Sequence, residues 1–157
     1  MKLIFTKILV ILLIMVSMPG FALGQSDKGR GMTLEDDLGN QVVIKAKPRR
    51  IISGAQFIDE LIFSIAEKRN ILAITNFSAD KGISNIAEEA ANMEHQLGLN
   101  IEAYLDLEPD LIILADWADP SKVQQLRDIG IPLYQVTFPK TLEEVKTLIL
   151  TRKVYLI

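Results

Sequence analysis

Residues 110–136 read DLIILADWADPSKVQQLRDIGIPLYQV, and this stretch decides the fold. After Asp110, the run to Ala115 is apolar on both faces, as a strand buried inside a parallel sheet must be. Asp119 is placed to cap a helix, with Pro120 at its first position. Val123, Leu126 and Ile129 supply one helical face, and Gly130 ends it. Ile131 to Val136 reads as a further strand, with Pro132 near its start, where a missing N–H is tolerated. Strand, helix and strand in succession predict a parallel sheet.

The same rhythm runs outward from this unit. Upstream, Ile51 to Ser53 reads as a strand, broken by Gly54. Gln56 to Glu67 carries Phe57, Leu61, Ile62 and Ile65 at helical spacing. Asn70 to Thr75 is a second strand, and Asn76 to Ser84 a loop. Asn85 to Met93 reads as an alanine-rich helix. Asn100 can cap a short helix, IEAYLDL, which must stop near Glu108 because Pro109 follows. Downstream, Thr141 with Glu144 forms a capping box for a helix from Leu142 to Leu150. Before all of these, Met32 to Lys47 reads as a β-hairpin turning at Gly39 and Asn40. The fold class is therefore α/β: an open, mainly parallel sheet with flanking helices, preceded by a β-hairpin.

Residues 1–24 read as a cleaved secretory signal peptide. Lys2 and Lys7 form a positive start, Ile8 to Met18 an apolar run too short to span a bilayer comfortably, and Ala22 and Gly24 a small-x-small site before Gln25, with Gly20 and Ala22 offering another before Leu23; the alternative is an uncleaved N-terminal anchor. The expected locations are the periplasm or the exterior. The expected divisions are leader and hairpin over 25–47, an α/β lobe over 48–150, and a tail over 151–157.

Composition narrows the chemistry. The 157 residues hold 17 Lys+Arg, 20 Asp+Glu, one His and no Cys. This excludes a disulfide framework, a thiol nucleophile, a lipid-bearing cysteine after the leader, and any cysteine or multi-histidine metal site. A net charge of −3 with mixed signs gives no footprint for nucleic acid. Enzyme motifs are missing too. No phosphate-binding glycine loop and no nucleophile elbow follows a strand. His95 lies in the polar run EHQLG and reads as a solvated loop residue. The pairs Asp36–Asp37 and Glu88–Glu89 read as a turn and a solvated helix face. No acid–base or nucleophilic set emerges, and no cofactor is implied.

Open parallel sheets bind ligands beyond the carboxyl ends of their strands. Those positions are Ser53 and Gln56 after the first strand, Asn76 and Phe77 after the second, Asp116 and Trp117 after the third, and Phe138 after the fourth. Phe77, Trp117 and Phe138 can form a stacking wall for a large, partly apolar ligand, or can cap the sheet as core. Asp116 and Asp119 beside Trp117 argue that its ring is exposed.

Four segments, in order, resemble the N-terminal lobe of periplasmic substrate-binding proteins of the iron–siderophore, haem and cobalamin type. They are EDDLGNQVVIKAKPRRII, SGAQFIDELIFSIA, LGLNIEAYLDLEPDLIILA and LRDIGIPLYQVTFPKTLEEVKTLI. The likeness covers Met32 to Leu150. It implies two α/β lobes joined by a long helix, with the ligand between them; the tail TRKVYLI leaves no room for either, so a partial chain is expected. It also implies that Glu102 docks onto arginines of the ABC permease subunits in the inner membrane, where charge sets register more than affinity. The implied ligand is a metal chelate. One histidine argues against bare metal ions. Tyr134 and Tyr104 are poorly placed as haem ligands. No arginine stands at a strand end for an anionic siderophore, with Lys140 and Lys81 only near. Cobalamin or a neutral hydroxamate siderophore fits best. The alternatives are a small secreted α/β enzyme and a stand-alone sensor or interaction domain.

Overall fold

The computed structural model of the protein describes residues 31–98 and 100–156; the leader read at 1–24 lies outside them. Strands β1 (Met32–Glu35) and β2 (Gln41–Ile44) pair antiparallel, Met32 opposite Ile44 and Glu35 opposite Gln41. The turn works because Asp36 Oδ1 accepts the amides of Leu38 (3.0 Å) and Asn40 (2.8 Å). Gly39 takes the left-handed conformation there (φ 83°), which costs a glycine nothing. On β2, Val42 and Ile44 are buried and Val43 faces out.

The chain then builds β3 (Ile51–Ser53), α1 (Gln56–Ile65), β4 (Ile71–Thr75), α2 (Ala87–Ala90), β5 (Gln96–Leu97) and α3 (Ile101–Asp106). It continues through β6 (Leu111–Ala115), α4 (Pro120–Ile129), β7 (Leu133–Val136) and α5 (Leu142–Leu156). The five strands after the hairpin form one parallel sheet in the order β5-β4-β3-β6-β7. From β3 the chain steps outward twice on one side, then returns to add β6 and β7 on the other. The order therefore reverses between β3 and β6.

Alternation along the strands fills two cores. Ile51, Ile113 and Val136 meet Ile58 and Ile62 of α1, Val42 and Ile44 of the hairpin, and Leu148 of α5. On the other face, Ile52, Ile112, Leu114 and Leu133 meet Tyr104 of α3 and Val123 and Leu126 of α4. Ile51, Ile52, Ile58, Ile62 and Ile112 have no exposed surface at all. Each such side chain is worth about 1.5–3 kcal/mol of burial. The register slips between Ile51 and Ile52, whose partners on β4 are Ile71 and Ala73. That bulge sets Leu72 and Ala73 against the same core, and Ile74 then returns to the core that holds Ile71.

The local signals around α4 hold. Asp119 caps it by accepting from the amides of Ser121 (2.8 Å) and Lys122 (3.4 Å), and Gly130 ends it at φ 86°. Asn100 caps α3 by accepting from the Glu102 amide (3.0 Å). In the capping box of α5, Thr141 Oγ1 accepts from Glu144 (3.2 Å), while Glu144 Oε2 reaches one residue further back, to the amide of Lys140 (2.6 Å).

Four expectations differ. The helix over Asn85–Met93 shrinks to Ala87–Ala90. Asn85 is drawn off by Glu60 Oε1, and the Asn92 and Met93 amides bond three residues back rather than four. The run EHQLG is not a free loop: Gln96 and Leu97 pair with Ile74 and Thr75 as an edge strand, and the carbonyl of His95 accepts from Ile74 (3.2 Å). The helix opened at Leu142 does not stop at Leu150 but runs on to Leu156. Asp36 and Asp37 do more than turn the chain. Asp36 pairs with Arg127 (3.2 Å), and Asp37 accepts from Thr137 N (3.0 Å) and pairs with Arg152, whose guanidinium lies 4.7 Å from the Tyr134 ring centre. With the Asp37 amide bonded to Gln135 O (3.1 Å), the hairpin turn covers the β7 edge.

Candidate functional site at the carboxyl end of the sheet

An order reversal in a parallel sheet leaves a crevice at the carboxyl ends of the two strands that flank it. Here those strands are β3 and β6, followed by Gly54 and by Asp116 and Trp117. The backbone is tied across the point: Gly54 N donates to Ile113 O (2.9 Å), and Asp116 N to Val136 O (2.9 Å).

Three rings gather beside it. Trp117 lies 5.5 Å from Phe57 and 6.1 Å from Phe138, centre to centre, and Phe57 meets Phe138 edge-on at 5.1 Å. Trp117 is 63% exposed and Phe138 48%. Contacts of this geometry hold aromatic rings in fixed orientations while their outer faces stay open. Gln56 stands at the first turn of α1, its amide donating to Glu60 Oε1 (2.6 Å). Asn76 is exposed after β4, and Asp116 is half-buried after β6.

Two expected site residues sit differently. Ser53 has no exposed surface. Its hydroxyl donates to Ala55 O (3.3 Å), so the last residue of β3 turns into the core and not toward a ligand. Phe77 is 57% exposed but makes no ring contact with the others; Phe57 takes its place in the cluster. Phe57 packs against the core, as its helical spacing implies, and from the first turn after a strand end it also reaches the rings of Trp117 and Phe138.

Beneath the site lies Asp59, fully buried on α1. Its Oδ2 accepts from Thr75 N (3.0 Å), Thr75 Oγ1 (2.5 Å) and Ser78 Oγ (2.6 Å), pinning the turn after β4 to the helix. Burial raises the pKa of this carboxyl, and the hydroxyls of Ser53, Ser78 and Thr75 partly offset the rise.

Two pockets flank Trp117. One of about 210 Å³ is lined by Gln56, Thr75, Phe77, Leu97 and Gly98. The other, of about 200 Å³, is lined by Tyr104, Leu114, Ala118, Asp119 and Lys122. Gly54 and Trp117 border both. Glu102 is exposed in the first turn of α3, the helix that follows β5, and lines neither pocket.

No family model matches the chain. It is 25% identical over 118 residues to an uncharacterised ABC transporter substrate-binding lipoprotein of Bacillus subtilis, YvrC, covering 73% of this chain and 36% of that one. In structure it is similar to the haem-binding protein HmuT (TM-score 0.62, 20% identity, 88% of this chain and 44% of that one). It is similar also to a periplasmic solute-binding protein of Veillonella parvula (TM-score 0.60, 20% identity, 80% and 41%). The chain thus spans about a third of the curated relative and two fifths of each solved structure. The resemblance read in the sequence is borne out: the chain carries one α/β lobe of the kind found in the haem-binding protein HmuT and in a periplasmic solute-binding protein, and it is similar in sequence to a substrate-binding protein of an ABC transporter.

Proposed function

We propose that the protein binds a metal chelate, a ferric siderophore or cobalamin, and presents it to the permease of an ABC importer. The observation that carries this reading is the aromatic cluster at the order reversal of the sheet, in which Trp117 and Phe138 are exposed and the half-buried Phe57 ties them to the core. A rigid apolar wall beside neutral polar groups suits a large, partly apolar ligand. The strand ends carry Gln56, Asn76 and a single carboxylate, Asp116, and no arginine. That favours an uncharged chelate over a polyanionic one. The similarity to a substrate-binding protein of an ABC transporter supports the transport role. In this reading the protein performs no catalysis and acts outside the cytoplasm, in the periplasm or secreted, after removal of residues 1–24. Residues 48–150 form the lobe that supplies one wall of the ligand site.

Trp117 is the only tryptophan, so its fluorescence reports on the site directly. Titration with cyanocobalamin and with ferrichrome is expected to quench it saturably when the chain is joined to the second lobe of a longer relative. The 157-residue chain is expected to respond more weakly, because one wall buries less of the ligand. Unchanged fluorescence with both ligands in the joined protein would refute the reading.

Glu102 is the proposed permease contact. It is exposed, and it sits in the first turn of a helix, where a carboxylate is favourably placed. In the joined protein, Glu102→Arg is expected to weaken stimulation of the transporter ATPase while ligand affinity stays the same. Loss of affinity with intact stimulation would overturn the assignment.

A further inference from the structure

We propose that the two pockets beside Trp117 form a paired subsite, in which an uncharged chelate places one short, oxygen-bearing arm on each side of the indole. This deepens the metal-chelate reading and rests on it. Size gives the first argument. At about 200 and 210 Å³, each pocket is smaller than a drug-sized site, roughly 300–1,000 Å³, and only the pair reaches that range. Their shared border, Gly54 and Trp117, falls at the order reversal between β3 and β6. A ligand centred there meets both.

Chemistry gives the second argument. The Gln56 pocket has no charged side chain in its lining. The Tyr104 pocket has Asp119 and Lys122, and the Asp119 carboxylate is engaged by Ser121 through its amide (2.8 Å) and hydroxyl (2.6 Å). Neither lining concentrates positive charge for an anion.

Tyr104 gives the third. It is 3% exposed, and its hydroxyl has no hydrogen-bond partner among the described residues. Buried hydroxyls are ordinarily satisfied. The hydroxyl lies under Gly54: a Cβ added there would come 3.2 Å from it and 2.4 Å from Leu114 Cδ2. Glycine at this position leaves room for an acceptor to approach through a small shift of Leu114. Burial and the charge of Asp59 push the Tyr104 pKa up to about 12, so the hydroxyl keeps its proton and can donate it to an acceptor. The stronger acceptor, an amide or hydroxamate carbonyl, therefore belongs in the Tyr104 pocket.

The test titrates the 157-residue chain, and the same chain joined to a second lobe, with cyanocobalamin and ferrichrome, following Trp117 fluorescence. Gly98→Val narrows one pocket; nothing lies within 4 Å of a Cβ at Gly98, so the fold is kept. Ala118→Leu narrows the other, with Ala118→Val as its replacement if the larger side chain unfolds the protein. For a probe that binds the parent protein, each pocket-narrowing variant should weaken binding about tenfold. Tyr104→Phe should weaken it by roughly three- to tenfold, the worth of one neutral hydrogen bond, while the unfolding midpoint stays the same or rises. Unchanged affinity in either pocket-narrowing variant overturns the two-armed subsite. Unchanged affinity in Tyr104→Phe overturns the acceptor assignment. If neither probe binds the parent protein in either form, the metal-chelate reading fails and takes this subsite with it.

Discussion

At the amino end of the sheet, polar groups are closed upon one another; at the carboxyl end, apolar groups are left open. Asp110, just before β6, accepts the amides of Arg49 (2.8 Å) and Arg50 (2.9 Å) and returns its own N–H to Arg50 O (3.0 Å). The Arg50 guanidinium donates to the carbonyls of Glu108 (2.8 Å) and Leu107 (2.5 Å), which end α3. So the approaches to the two central strands, some sixty residues apart in sequence, are held as one unit. At the other end Trp117, Phe77 and Phe138 expose about half of their surface or more. One end holds the fold together, and the other is the end we propose meets the ligand. Substitutions should therefore separate stability from binding according to the end they touch.

The largest effect is expected where this division is broken. Asp59 is a buried polar anchor under the open end, and Asp59→Ala leaves Thr75 N, Thr75 Oγ1 and Ser78 Oγ without their acceptor. Chemical denaturation should show a loss of about 3 kcal/mol. Its pH dependence has a definite sign. The folded-state pKa is raised, so the folded protein holds this proton more tightly than the unfolded chain. Its contribution is fully present below the unfolded value, about 3.9, and is lost as pH rises through the folded one. The stability of the wild type relative to Asp59→Asn should accordingly fall from about pH 4 upward; a rise would contradict the raised pKa.

Next comes the closed end. Asp110→Ala removes two amide bonds to a partly exposed carboxylate, and a loss of about 1–2 kcal/mol is expected with ligand binding unchanged. Smaller and opposite in sign is Glu108→Gly. Glu108 holds a left-handed backbone (φ 45°) between α3 and Pro109, and glycine relieves that strain. A gain of up to about 1 kcal/mol in thermal unfolding would fit; a loss would place the strain elsewhere. Smallest in stability is Trp117→Ala, which gives up exposed ring contacts worth about 1 kcal/mol or less. Its expected effect on binding is the largest of these four variants, and equal losses in both would erase the distinction between the two ends.

What could be read in advance divides along similar lines. The strand β6, the caps of α3 and α4 and the hairpin turn were legible because each depends on residues adjacent in the chain: LIILA, Asn100 with Glu102, Asp119-Pro120 with Gly130, and Asp36 with Gly39. β5 was not, because two residues with one polar member carry no periodicity; β4 makes them a strand. Trp117 was legible from its acidic neighbours. Ser53 was misplaced because β3 is buried to its last residue. Helical spacing places Phe57 against the core, where it packs, but not in the ring cluster, because spacing reports which side of a helix a residue takes and not how near it lies to the helix end. The length of α5 was missed since TRKVYLI carries its meaning in a distant contact, Arg152 with Asp37.

That contact bears on how the protein is made. Asp37 meets Arg152 across 115 positions of sequence, Thr137 across 100 and Tyr134 across 97. The hairpin leaves the ribosome about a hundred residues before the partners that clasp it. Contacts of such long separation slow folding, because the chain must close a large loop before they reward it. The β1–β2 pair must therefore wait until β7 and α5 have been made, with Val42 and Ile44 lacking their full cover, and its docking reports that both have formed.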